Sequence, residues 1–168
     1  MNKKLILYII TFFCTGLISK RMPGTIGSLA ASILSLLLPK YSYLFFFIAI
    51  FLFIIGIITS QKYVEDNPEN KDPGFIVIDE ACAVFLSNAI LLDIFEYSYT
   101  VFLLSFLFFR LFDILKPFPI RRIETYFKQK SKMNGFGIMI DDIIAVIPTI
   151  LIIVLISYLL QMYNIYGF

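Results

Sequence analysis

Five acidic residues stand near the ends of apolar stretches, where an ionised side chain is costly. They are Asp79, Glu80, Asp113, Asp141 and Asp142. A charged residue at membrane depth costs roughly 2.5–3.5 kcal/mol unless it is paired or bound to a metal ion. Capping of a helix N-terminus accounts for acids in a first turn, but Asp113 lies near the end of the stretch 99–115, where it opposes the helix dipole. The set is therefore predicted to be a catalytic, metal-binding cluster.

The other residue types narrow the chemistry of this cluster. The chain contains no His, which excludes a Ser-His-Asp triad, a His-ligated zinc ion and a histidine nucleophile. Cys14 and Cys82 have no metal-ligand spacing, and a Cys-x5-Arg phosphatase loop would need Arg where Lys20 and Asn88 stand. Carboxylates alone make an all-oxygen site, and Mg²⁺ typically takes one or two of them together with waters and substrate phosphate. Mg²⁺ is therefore the predicted cofactor, with a phosphate group as its partner.

Basic and small polar residues supply the predicted phosphate-binding side. The candidate cations are Arg110, Lys116, Arg121 and Arg122, and the Arg side chains can grip two phosphate oxygens at once. Two glycine-bearing turns, 22–28 (MPGTIGS) and 134–137 (NGFG), are predicted just before helices. There the Thr25 and Ser28 side chains and backbone N–H groups would receive phosphate oxygens. The further lysines between 128 and 132 are instead expected to attract anionic lipid at the membrane surface.

The elements that must position these residues are apolar. Hydrophobic residues make up 60% of the chain and charged residues 15%, and the mean hydropathy is +0.88. Such a composition predicts a multi-pass bundle of membrane helices with short loops, formed as a single domain over 1–168. The apolar stretches are 5–18, 25–38, 41–60, 75–92, 99–115 and 138–163. The third has 20 residues without a charge and should span the bilayer, whereas the first is predicted to be a short interfacial or partly inserted helix.

The distribution of charge predicts how the bundle is oriented. Segment 116–132 carries six basic residues against Glu124 alone, so it should face the cytoplasm, and the short acidic connection 93–98 should face outward. This alternation puts all five carboxylates at the cytoplasmic face. Because adjacent residues on a helix point about 100° apart, the members of each acidic pair should differ in importance. The net charge of +2 is too small to indicate a nucleic-acid partner.

Four segments together resemble the phosphatidylglycerophosphatase A family. They are MPGTIGSLAAS (22–32), FIVIDE (75–80), FRLFDILKPFPIR (109–121) and GFGIMIDD (135–142). The resemblance implies a magnesium-dependent lipid phosphatase of the bacterial cytoplasmic membrane, which converts phosphatidylglycerophosphate to phosphatidylglycerol with the matched acids as its functional core. It also implies an all-α architecture. Ile78, Ala83 and Val146 depart from the family pattern beside the acids but remove no carboxylate.

The residues also bear on two other possible functions, a phosphotransferase and a cation carrier. A CDP-alcohol phosphotransferase would need an Asp-Gly-x-x-Ala-Arg motif, which the chain lacks. A small cation carrier could use intramembrane carboxylates as its ion path, but carriers place polar groups near the membrane midplane, and these acids are predicted near one face. For a phosphatase, the chain lacks the Asp-x-Asp-x-Thr motif of phosphoaspartate enzymes. Water is therefore the favoured nucleophile, and direct attack by an Asp stays open.

Overall fold

The computed structural model describes residues 2–69, 73–116, 122 and 134–166, with side chains up to 163. Throughout these residues the regular structure is helical. The helices are α1 (Lys3–Ile10), α2 (Pro23–Leu37), α3 (Ser42–Asp66), α4 (Ile78–Ile94), α5 (Tyr99–Leu115) and α6 (Asn134–Tyr166), with a short 3₁₀ turn at Thr15–Leu17. The predicted all-α class is therefore confirmed for the described part of the chain.

Helix α4 is the centre of the bundle. It contacts α2, α3, α5 and α6, and ten of its 17 residues are buried. From Ala81 to Leu92 it carries no charged residue on any side, which is the pattern of a helix enclosed by others. On α4, Phe85 packs edge-on against Phe45 of α3, with 5.7 Å between ring centroids. The first turn of α4 carries Asp79 and Glu80, so the most enclosed helix also holds the first acidic pair.

Helices α3 and α6 are long and apolar enough to cross a membrane. Their candidate spans are Ser42–Asp66 and Asn134–Tyr163, and most of each span is not buried inside the protein. The 25 residues of α3 extend about 37 Å, more than the hydrocarbon thickness of about 30 Å. Both helices are longer than the apolar stretches that predicted them. Helix α3 continues through polar residues to Asp66, and α6 begins before its apolar stretch, at Asn134.

The first predicted helix is shorter than expected. The prediction of a helix over 5–18 is wrong, because α1 ends at Ile10 and the three residues 12–14 have positive φ angles of 42°, 59° and 67°. The Thr11 hydroxyl accepts the backbone N–H of Cys14 at 3.2 Å and donates to the carbonyl of Leu7 at 2.7 Å. The backbone N–H of Val77 also donates to the carbonyl of Ile10 at 2.9 Å. The break thus docks the chain onto the residues that lead into α4.

The two glycine-bearing turns are instead the first turns of helices. The predicted turns are wrong, since α2 begins at Pro23 and α6 begins at Asn134. Proline is favoured at the first helical position because its fixed φ suits the helix and its missing N–H is not needed there. The small residues serve helix packing: Gly27 lies against the Val77 side chain, and a Cβ at that position would come within 2.6 Å of it.

Candidate active site

The ends of three helices bring all five predicted carboxylates to one cavity of about 120 Å³. Asp79 and Glu80 come from the first turn of α4, Asp113 from the last turn of α5, and the other two from the third turn of α6. Lys116, which follows α5, lines the same cavity. The acids are far apart in sequence, and they meet because α4 packs against both α5 and α6.

Three of the carboxylates form the tightest group. One oxygen from each of Asp79, Glu80 and Asp142 lies within 4.8 Å of the other two. Asp79 and Glu80 are neighbours in the first turn of α4, and Asp113 lines the same cavity as Asp142. Asp79 also accepts the backbone N–H of Glu80 at 3.0 Å, which fixes its orientation at the start of α4. We refer to Asp79, Glu80 and Asp142 as the carboxylate triad.

Arg110 joins α5 to the triad and to α2. Its guanidinium donates to Asp113 at 2.6 Å and lies 3.8 Å from a Glu80 oxygen. A second guanidinium nitrogen donates to the Thr25 hydroxyl at 3.4 Å. Arg110, Glu80 and Asp113 are each only 12–13% exposed. Thr25, which was predicted to receive phosphate, therefore lies at the site and holds the arginine there.

Lys116, at the end of α5, pairs with Asp141, the first of the two adjacent acids of α6. Its Nζ donates to Asp141 at 2.7 Å, and the two side chains are 26% and 9% exposed. Lys116 has φ 41°, and its backbone N–H donates to the carbonyl of Phe112 at 2.8 Å, which ends α5. The left-handed residue that stops α5 thus turns its side chain toward α6. The adjacent acids of α6 consequently differ, with Asp142 in the triad and Asp141 paired with a cation.

The triad fits a hard divalent cation. Glu80 Oε2 and Asp142 Oδ2 are buried and have no hydrogen-bond partner among the described residues. A buried carboxylate oxygen without a partner is expensive, and metal coordination removes that cost. Five carboxylates against Arg110 and Lys116 leave three negative charges when all are ionised. The donors are all oxygen, as Mg²⁺ prefers.

Other predicted phosphate-binding groups lie away from the cavity or outside the described residues. Ser28 is fully buried, and its hydroxyl donates to the Gly24 carbonyl within α2. The backbone N–H of Gly135, at the start of α6, donates to the Gln61 side chain at 2.8 Å. Arg122 is exposed. Arg121 and the lysines between 128 and 132 lie outside the described residues.

Gly24 is part of the site that sequence reasoning missed. A Cβ at this position would collide with Glu80 Oε1 and come within 3.2 Å of a guanidinium nitrogen of Arg110. The first turn of α2 therefore approaches the Glu80 carboxylate and the Arg110 guanidinium so closely that only a glycine fits at position 24. The sequence feature that could have placed Gly24 at the site is the Pro-Gly pair. It was interpreted as a turn, although a glycine also lets its own backbone approach a neighbouring side chain closely.

Comparison with known proteins points to one family. The sequence profile of the family described as phosphatidylglycerophosphatase A matches residues 8–157. Phosphatidylglycerophosphatase A of Haemophilus influenzae is 41% identical over 148 residues, which cover 87% of this chain and 85% of that protein. The Escherichia coli protein of the same name is 32% identical, with 79% of this chain and 72% of the relative covered. A Bacteroides thetaiotaomicron protein, provisionally named a phosphatidylinositol-3-phosphatase, is also 32% identical, with 78% and 80% covered. No solved structure matches the chain.

Proposed function

Because the chain belongs to the phosphatidylglycerophosphatase A family, we propose that it hydrolyses the phosphate monoester of phosphatidylglycerophosphate in a Mg²⁺-dependent reaction. The products are phosphatidylglycerol and inorganic phosphate, so the enzyme acts in phospholipid biosynthesis. The observation that carries the proposal is the carboxylate triad, whose oxygens lie within 4.8 Å of one another beside Arg110. An all-oxygen cation site next to a guanidinium is suited to a phosphate group.

The chain's own residues bind the cation and offset the charge of the substrate. Asp79, Glu80 and Asp142 would hold the Mg²⁺ ion, and Asp113 holds Arg110 toward them. When bound, Mg²⁺ supplies Lewis acidity to phosphoryl oxygens and lowers the pKa of water. Arg110 Nε is buried without a hydrogen-bond partner among the described residues, which leaves it free to donate to a phosphate oxygen. Water forms the new bond to phosphorus and gives up a proton. The bond from phosphorus to the glycerol oxygen breaks, and that oxygen takes up a proton to leave as an alcohol.

Phosphate release tests the activity and its metal dependence together. Detergent-solubilised protein given phosphatidylglycerophosphate and Mg²⁺ should release inorganic phosphate, and excess EDTA should abolish the release because the triad offers only oxygen ligands. Mn²⁺ should restore part of the activity, since it shares the preference for oxygen. A thiol-blocking reagent should have little effect, because Cys82 is buried and Cys14 lies outside the cavity.

Two outcomes of that assay would contradict the proposal. Full turnover in excess EDTA would remove the metal from the reaction while leaving the phosphatase activity in place. If none of the lipid phosphates released inorganic phosphate, the phosphatase activity would be refuted. That result would favour the cation carrier, because ion transport liberates no phosphate. Running other lipid phosphate monoesters in parallel measures how strictly the glycerophosphate headgroup is required.

The proposed setting is the bacterial cytoplasmic membrane, crossed several times, with the triad facing the cytoplasm. Support comes from the apolar helices α3 and α6 and from the basic excess in 116–132. The α3–α4 connection then lies inside and the α4–α5 connection outside.

Single-cysteine labelling tests this orientation. In a Cys14→Ser background, Glu96→Cys should react with an impermeant maleimide in intact cells, and Glu69→Cys should react only after the membrane is opened. Both are exposed glutamates in connections between helices, so they are matched for access to solvent, and the remaining Cys82 is buried. The reverse pattern would place the carboxylates at the outer face.

A further inference from the structure

An apolar groove of about 170 Å³ lies beside the carboxylate cavity. It is formed by three helices and lined by Ala49, Ile50, Phe53, Cys82, Leu86 and Ile143. The groove is half-open, and Ile50 at its side is 40% exposed. Two of its walls are α3 and α6, which are the two candidate membrane spans. Its open side therefore faces the surroundings of those spans, which in a bilayer are hydrocarbon.

One face of α4 connects the groove to the triad. Asp79, Cys82 and Leu86 follow each other at three and four residues, so they lie on the same side of the helix. Cys82 stands at the junction: its thiol donates to the Ala49 carbonyl in the groove wall at 3.2 Å, and it lies one turn after Asp79 of the triad. On α6, Ile143 of the groove directly follows Asp142 of the triad.

The groove leads away from the acids toward the middle of the bundle. Leu86 follows Asp79 by seven positions, which is about 10 Å along α4. On α3, Gly56 lies against Met139 and against Ile78, the residue before Asp79, and Phe53 and Ala49 line the groove. The arrangement is charged at one end and apolar at the other, which matches the layout of an amphiphile.

We propose that this groove binds a fatty acyl chain of the lipid substrate while its phosphate monoester lies at the carboxylate triad. The proposal rests on the proposed phosphatase function and adds a second contact to it. The headgroup between the phosphate and the acyl esters covers the distance from Asp79 to the far part of the groove, where Ile50 and Leu86 contact the chain. The enzyme thereby selects lipid phosphates over water-soluble ones.

The test compares substrates that share the headgroup and differ in acyl length. The wild-type protein should hydrolyse dibutanoyl, dihexanoyl and dioctanoyl phosphatidylglycerophosphate with rising kcat/KM, by up to about fourfold for each methylene that enters the groove from water. The deacylated headgroup should be the poorest substrate. Because short lipids also partition into detergent micelles, the decisive quantity is the ratio of each variant to wild type at one detergent concentration.

Matched tryptophan variants on α3 separate the groove from the rest of the lipid-facing surface. Ile50→Trp adds bulk at the groove, and Ile54→Trp adds the same bulk one turn away, at a side chain that is 54% exposed and does not line the groove. Ile50→Trp should lower kcat/KM for the dioctanoyl substrate by about tenfold or more and leave the deacylated headgroup within about twofold. Ile54→Trp should leave both substrates within about twofold of wild type.

Leu86→Ala provides a second measurement that does not depend on fitting a larger side chain. It removes contact area from the groove, so KM for the dioctanoyl substrate should rise several-fold while the deacylated headgroup is unaffected. Equal losses on both substrates in either groove variant, or unchanged dioctanoyl kinetics in Ile50→Trp, would overturn the proposal. If wild type cleaves the deacylated headgroup as well as the acylated lipids, the groove proposal fails and the phosphatase function stands. If wild type cleaves neither, the phosphatase function fails with it.

Discussion

Asp142→Asn should lower kcat by about a thousandfold or more, whereas the same change at the adjacent Asp141 should cost about tenfold to a hundredfold. Asp142 belongs to the triad, and one of its oxygens is buried without a partner among the described residues. Loss of a metal ligand removes several kcal/mol of transition-state stabilisation, and about 4 kcal/mol corresponds to a factor of a thousand. Asp141 instead pairs with Lys116 at 2.7 Å, and groups that support a metal site typically contribute 10- to 100-fold.

The stability of the two variants should change in opposite directions. Without metal, Asp142 lies among like charges, so its conversion to Asn relieves repulsion and should keep or raise the melting temperature in EDTA. Asp141→Asn removes the 2.7 Å ion pair with Lys116 and should lower the melting temperature. The measurements are kcat with saturating Mg²⁺ and thermal unfolding with and without Mg²⁺. Equal losses of kcat would mean that both acids reach metal and would favour a two-metal site.

The convergence of the acids was predictable because each interrupts an apolar stretch near its end. Polar residues at such positions are costly, and short connections restrict which helix ends can meet. The structure brings all five to one cavity, and Arg110, which is three residues before Asp113 on the same side of α5, pairs with it at 2.6 Å. Lys116 has the same spacing from Asp113 but pairs with Asp141 on another helix. That pairing depends on how α5 and α6 cross, which no local pattern encodes.

The glycines were misinterpreted for a physical reason. A glycine that permits an unusual backbone angle and one that permits a close approach look identical in a single sequence. Gly24 and Gly135 both belong to the second kind: a Cβ would meet Glu80 at the first position and the Ile57 carbonyl at the second. The break after α1 was missed for a related reason. Positive φ angles at Phe12, Phe13 and Cys14 are rare for such residues, and the bond from the Val77 N–H to the Ile10 carbonyl at the end of α1 joins parts of the chain that are far apart in sequence.

Gly24→Ala tests whether the close approach of α2 positions the site. The added methyl group would overlap Glu80 Oε1, and a withdrawal of α2 would open the contact between Gly27 and Val77 one turn later. We therefore expect the Glu80 carboxylate to move, and Arg110 with it. We expect kcat to fall by about a hundredfold or more and the Mg²⁺ concentration for half-maximal activity to rise. In an unconstrained helix, alanine would be more stabilising than glycine by about 1 kcal/mol, so a lowered melting temperature would itself report the collision.

Gly74→Ala is the matched control, because Gly74 lines the same cavity but a Cβ there would lie 4.0 Å from the nearest atom, Pro23 Cγ. It should keep kcat within about twofold of wild type. Shortening the acid should partly restore the room that Gly24→Ala removes. The double variant Gly24→Ala with Glu80→Asp should therefore lose less activity than the product of the two single losses, as expected for residues in direct contact. Normal turnover in Gly24→Ala would show that α2 shifts to accommodate the methyl group. Fully multiplicative losses in the double variant would show that the alanine does not act on Glu80. Either result would mean that the first turn of α2 does not position the triad.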